Sequence, residues 1–88
     1  MAAASVGDIR LSQAAVLRVL QQLGESTDEE LVFAYPAYQR TWGLPTQSSS
    51  GIRTRRAELV RAGLVEHTGG RRPISTGRLA RIWRAIET

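Results

Sequence analysis

Arg53, Arg55, Arg56 and Arg61 crowd one short stretch of this 88-residue chain, and Arg71, Arg72 and Arg78 follow in a segment punctuated by glycine. The chemistry open to such a cluster is anion binding. A guanidinium is planar, permanently charged, and donates two parallel hydrogen bonds to paired oxygens, the arrangement a phosphate offers. All twelve basic side chains are arginine. A genome rich in G and C would account for the missing lysine but not for the uneven placement. Residues 1–52 hold Arg10, Arg18 and Arg40 against five acids, a balance of −2. Residues 53–88 hold nine arginines against Glu58, Glu66 and Glu87, a balance of +6, and the two sum to the chain's +4. A lobe with that excess attracts polyanions, nucleic acid foremost. The plain alternative is a solvated charged face.

Catalytic constellations do not form. Ser48, Ser49 and Ser50 have no histidine base nearby, and no Gly-x-Ser-x-Gly elbow occurs. Gly69-Gly70 cannot cradle phosphate in the manner of a lysine-bearing loop. His67 is the only histidine, with no cysteine or acidic cluster beside it, and reads as structural. The acids of Asp28-Glu29-Glu30 are consecutive, which scatters them around a helix. We expect neither an enzyme nor a cofactor or metal site.

Size and composition set the class. A chain this short buries roughly 60–65% of the surface its unfolded form exposes, enough for one small domain. Hydrophobic residues at 42% and charged residues at 23% fit a folded domain, not a disordered chain. No apolar run is long enough for a membrane span. Zero cysteines suit a reducing compartment, and a cytoplasmic location is expected. Residues 1–11 read as a flexible tail and 12–88 as the domain.

The elements that must position the arginines follow from caps and periodicity. Ser12 is a suitable N-cap, and Val16, Leu17, Leu20 and Leu23 recur at helical spacing until Gly24, predicting helix one over 12–23. Thr27 to Glu30 has the form of a capping box, so helix two starts at Thr27. Pro36 interrupts its pattern: either the helix kinks and continues to Arg40, or it ends and restarts there. Trp42 to Pro45 is a turn, and the serines offer caps for helix three over 49–62, with Gly63 as the residue past its end. Stepping about 100° per residue from Ile52 returns to within about 20° of the start at Leu59 and sends Ser50, Thr54, Ala57 and Arg61 to the far side, with Arg53 on the flank. Helix three should therefore dock by a narrow apolar edge and leave a polar, positive face outside. After Gly63 the period becomes two. Leu64 to Thr68 reads as a strand, Gly69-Gly70 as a tight turn, and Leu79 to Ile86 as the return strand, with Arg71 to Arg78 a long basic loop between.

Three helices followed by a β-hairpin with a basic tip, an α+β order, resemble a winged helix-turn-helix domain. The likeness covers residues 27–84 and is densest in Arg53-x-Arg55-Arg56-x-Glu58-Leu59-x-x-x-Gly63-Leu64. Thr68-Gly69-Gly70-Arg71-Arg72, Ser75-Thr76-Gly77-Arg78 and Ile82-Trp83-Arg84 are similar to the wings of small winged-helix proteins of actinobacterial phages. The resemblance implies binding of double-stranded DNA by a phage or bacterial transcription regulator, with helix three in the major groove and the wing, over 64–86, on the backbone. Carried over position by position, Ser50, Arg53, Thr54 and Ala57 would face base edges, and Arg61, Arg71, Arg72 and Arg78 would face phosphates. Chemistry agrees: arginine reads guanine bidentately, and Ala57 or the Thr54 methyl can touch a thymine methyl. Ser48 to Ser50 lie at a helix N-terminus whose free amides suit a phosphate. Such an interface requires the tip to stand clear of the chain's own carboxylates and the outer side of helix three to be uncovered.

The remaining residues divide the alternatives. Arg55 and Arg56 turn toward the core edge and should form ion pairs with Glu29, Glu30 or Glu58. Arg81 and Arg84 read as rim, Trp83 and Tyr35 as core, and Trp42 as packing the turn onto helix two. Phe33, Tyr38 and Trp42 could instead receive a protein partner, making the domain an interaction module that binds or inhibits a host protein. The same segment, or helix one, could support a homodimer on a two-fold DNA site.

Overall fold

The capping box foreseen at Thr27 closes. Thr27 Oγ1 accepts from the Glu30 amide at 3.2 Å, and the Glu30 carboxylate accepts from the Thr27 amide at 2.8 Å. In the computed structural model, which describes residues 10–87, this box opens the second of three helices: α1 Leu11–Leu23, α2 Asp28–Trp42 and α3 Ser49–Arg61. An antiparallel hairpin follows, β1 Val65–Pro73 and β2 Leu79–Ala85, completing the expected α+β order. Residues 1–9 of the expected tail lie outside the described residues. Arg10 and Leu11 do not belong to a tail: they begin α1.

One helix boundary differs from expectation, and the alternative left open at Pro36 is decided. Ser12 lies inside α1 and is not its cap; Arg10 is, with its amide donating to Gln13 Oε1 at 2.8 Å. Pro36 does not end α2, which runs through it to Trp42. Leu31 and Tyr35, both wholly buried, anchor the half before the proline. The half after it is held by Tyr38 stacked on Trp42, with centroids 4.7 Å apart, and by left-handed Gly43. Tertiary contact thus overrides the roughly 3 kcal/mol proline penalty.

Helix α3 has the expected ends. Ser48 Oγ accepts from the Gly51 amide at 3.0 Å. Past Arg61, Gly63 adopts φ 79°, and the amides of Gly63 and Leu64 donate back to Val60 and Leu59. That paired closure is a Schellman motif, and only glycine enters it without a Cβ clash. Ile52 and Leu59 are the buried α3 residues. They meet Val16, Val19 and Leu20 of α1, Leu31 and Tyr35 of α2, Val65 and Trp83 in one core. Each aliphatic side chain buried there is worth about 1.5–3 kcal/mol.

The α2–α3 connection is longer than a minimal turn, yet it is pinned. The Tyr35 hydroxyl donates to the Pro45 carbonyl at 2.6 Å and accepts from Gln47 Nε2 at 2.9 Å. Gln47 Nε2 also donates to the Ser12 carbonyl, so α1, α2 and the connection share one polar knot. This knot sets how α3 lies across α2.

The hairpin corrects the sequence reading most. Gly69-Gly70 is not its turn. Strand β1 continues through both glycines to Pro73, and the chain reverses at Ile74–Arg78, where the Ile74 amide donates to the Arg78 carbonyl and the Gly77 amide to that of Ile74. Register runs Val65↔Ala85 to His67↔Trp83, then resumes at Arg71↔Arg81, leaving three residues opposite Ile82 alone. The glycines form this bulge. Gly69 takes φ 91° within it, a backbone conformation that favours glycine, and Gly70 lies in contact with Ile82. At the outer edge of β2, Ser26 exchanges two backbone hydrogen bonds with Trp83, adding a one-residue third rung that ties the α1–α2 connection to the wing.

Candidate nucleic-acid interface

Docked by its Ile52–Leu59 edge, α3 turns Ser49, Ser50, Arg53, Thr54 and Arg61 outward, all exposed, with Ala57 half-buried at the margin. The outer side of α3 is uncovered, as expected. Local bonds order its N-terminal turn: Ser48 Oγ, besides capping the helix, lies 3.2 Å from Ser50 Oγ, and Thr54 Oγ1 donates to the Ser50 carbonyl. Ser48 therefore has a structural duty before any phosphate is considered.

The arginines separate into two populations. Arg55 pairs with Glu58 at 2.6 Å as expected, while Arg56 pairs with Asp28, a carboxylate not among those anticipated, through two bonds of 2.9 and 2.7 Å. Arg56 also stacks on Trp83, 4.0 Å from the ring centroid. One guanidinium thus joins α3, the start of α2 and β2, and it is mostly buried. Arg84 pairs with Glu66 at 2.7 Å and lies 3.7 Å from Glu25. Hydrogen bonding to Glu66 raises the Arg84 pKa. The Arg55 bond, followed by the Gln13 side chain, holds the Glu58 carboxyl below its ordinary value. In contrast, Arg53, Arg61, Arg71, Arg78 and Arg81 are exposed and have no carboxylate within 4.0 Å among the described residues.

Arg72 belongs to the first population, which changes its expected role on phosphate. Its Nη1 lies 2.7 Å from both oxygens of Glu30. Ser75 follows suit at the tip, its amide and hydroxyl both donating to the Glu29 carboxylate, at 2.9 and 2.7 Å. The tip therefore does not stand clear of the chain's own acids: the condition set for a DNA-facing wing fails at Arg72 and Ser75 and holds, among the described residues, only at Arg71, Arg78 and Arg81. Two of the three acids that favour the α2 N-terminus also hold the wing down. The Thr27 amide, chiefly, keeps the Glu30 carboxyl below its ordinary value; burial opposes it, and the Arg72 guanidinium lowers it further.

Arg81, expected at the rim, is exposed there. Register places it directly opposite Arg71. Like charges opposed across a ribbon destabilise it, and no internal acid offsets this pair among the described residues. Beside Arg81 opens a shallow cleft of about 300 Å³, walled by Asp28, Arg56, Ala80 and Trp83, between the start of α2, α3 and the wing. The signal for its pairing with Arg71 was present in period-two alternation but unusable without the position of the turn.

The other candidate surface is narrower than expected. Phe33 is 86% exposed, and with Val32 it lines a groove edged by Glu29, Glu30 and Ser75. Tyr38 and Trp42 are half-buried against each other, and Arg18 covers the Trp42 ring at 4.1 Å. Only Phe33 of the three stands clear. His67 is exposed, with its ring against Trp83 and Nε2 3.1 Å from the Gly70 carbonyl.

Among the described residues no helix is long and apolar enough to cross a membrane. Compared with protein-family models the chain matches none, and no curated protein matches it.

Proposed function

We propose that this protein binds double-stranded DNA, with α3 in the major groove and the wing on the adjacent backbone, and acts as a transcription regulator of a bacterium or phage. The observation that carries the reading is the sorting of the arginines. Arg53 and Arg61 on α3, and Arg71, Arg78 and Arg81 on the wing, lack internal acids among the described residues, whereas Arg55, Arg56, Arg72 and Arg84 have them. A helix with an uncovered cationic face fits the major groove, and Arg53 has the length and fork to read guanine. Arg61, Arg71, Arg78 and Arg81 would take phosphates.

A salt-titrated mobility shift tests this. Neutralising about four to six phosphates gives a log K against log salt slope near −4 to −5, and Arg71→Ala and Arg78→Ala should each reduce its magnitude by about 0.9. Arg53→Ala should cost about 1–3 kcal/mol on a preferred site and much less on random duplex. A slope untouched by both wing variants removes the wing from the interface. Equal losses on both duplexes would put Arg53 on the backbone.

One observation favours a second reading, a protein-interaction module: the exposure of Phe33 beside Val32. In that case Phe33→Ala would abolish partner capture while leaving the Arg53→Ala variant fully competent.

A further inference from the structure

We propose that the wing is latched by an internal mimic of the DNA backbone: Glu29 and Glu30 occupy the wing groups that phosphate oxygens would otherwise receive, and binding exchanges one anion for the other at Arg72. This inference rests on the nucleic-acid reading and deepens it with a regulatory contact.

The geometry is that of a substituted ligand. Both Glu30 oxygens lie 2.7 Å from one Arg72 nitrogen, and the Glu29 carboxylate receives an amide and a hydroxyl from Ser75, the donor types that phosphates draw from a wing. The hold is light. Arg72 and Glu30 each retain about two-fifths of their side-chain exposure, at 41% and 43%. Exposed pairs of this kind contribute little and are screened by salt, so an incoming polyanion can displace them. Arg71, the neighbour of Arg72, has no such partner among the described residues and is poised for first contact. The latch is wired to the fold through Glu30, which also accepts the Thr27 amide in the capping box.

That double duty provides a clean variant. Glu30→Gln keeps a capping-box acceptor but removes the charge that holds Arg72. With a mixed-sequence duplex of about 20 base pairs, Glu30→Gln should bind about two- to fivefold tighter than the unaltered protein, the factor set by one exposed ion pair. Glu25→Gln removes an equal charge beside Arg84 and should give a smaller gain. Arg72→Ala should cost less duplex affinity in the unaltered protein, where the ion pair with Glu30 must first be broken, than in the Glu30→Gln background, by the same factor of about two to five. The Ser75 amide, followed by hydrogen exchange without DNA, should exchange faster in Glu30→Gln.

An equal affinity loss from Arg72→Ala in both backgrounds shows Arg72 already free and overturns the latch, as does a Glu30→Gln gain matched by Glu25→Gln. Unchanged Ser75 exchange also overturns it, whether or not DNA binds. Faster Ser75 exchange with no duplex binding by any variant sinks the nucleic-acid reading, and the phosphate exchange with it.

Discussion

Helix α3 and the wing both carry exposed arginines but are held in place by different forces. The helix is fixed by buried apolar contact at Ile52 and Leu59 and by the mostly buried Arg56–Asp28–Trp83 cluster. The distal wing is fixed by the half-exposed Arg72–Glu30 pair and the exposed Ser75–Glu29 contact. Contacts of the first kind are worth kilocalories each, and those of the second about 0.2–1 kcal/mol. A rigid helix beside a distal wing clamped only by exposed polar contacts is the outcome. Within α3 itself the contrast recurs, because Arg56 stabilises the fold while Arg53, three residues away, touches no acid among the described residues.

The largest effect expected from breaking this contrast is at the shared core. Leu59→Ala should lower stability by about 2–5 kcal/mol in urea or thermal unfolding, because the site is wholly buried and cannot refill. Next is Arg56→Ala, which strands Asp28 and uncovers Trp83 and should cost about 1–3 kcal/mol. Arg53→Ala, measured the same way, should stay within about 0.5 kcal/mol. Equal stability losses for Arg53 and Arg56 would erase the division between structural and free arginines.

The smallest effect is in pH, and it sharpens the difference between helix and clamp. Glu30 has its pKa lowered in the folded state from an ordinary 4.5. Its contribution is therefore fully present above the ordinary value and is lost as pH falls through the lower, folded one. The protection factor of the Thr27 amide, which donates to Glu30, should hold from neutral pH down to about pH 5 and fall only below about pH 4.5, while α3 amides remain protected. Loss of protection near neutral pH would point to some group other than Glu30.

Legibility followed sequence distance. The capping box at Thr27 and the Gly63 closure were readable because every partner lies within a few residues. The narrow apolar edge of α3 followed from helical period, and with it the outward turn of Arg53 and Arg61. The Gly69-Gly70 reading failed because the dipeptide looks like a turn locally, whereas its role is set by Ile82 across the ribbon. Moving the turn to Ile74–Arg78 lengthened the wing and brought Arg81 opposite Arg71. Passage of α2 through Pro36 was equally undecidable from the pattern, since burial of Tyr35 and packing of Trp42 settle it.

By itself, then, the chain's order of residue types determined three capped helices, a terminal hairpin and a cationic second half, all consequences of local hydrogen bonding and periodicity. Tertiary structure alone decided which arginines are paired with the chain's own carboxylates. That choice depends on carboxylates tens of residues away: Asp28 reaching Arg56, and Glu30 reaching Arg72. Ion pairing acts through space at a few ångströms, and no spacing along the chain encodes it until the helices and the wing have docked.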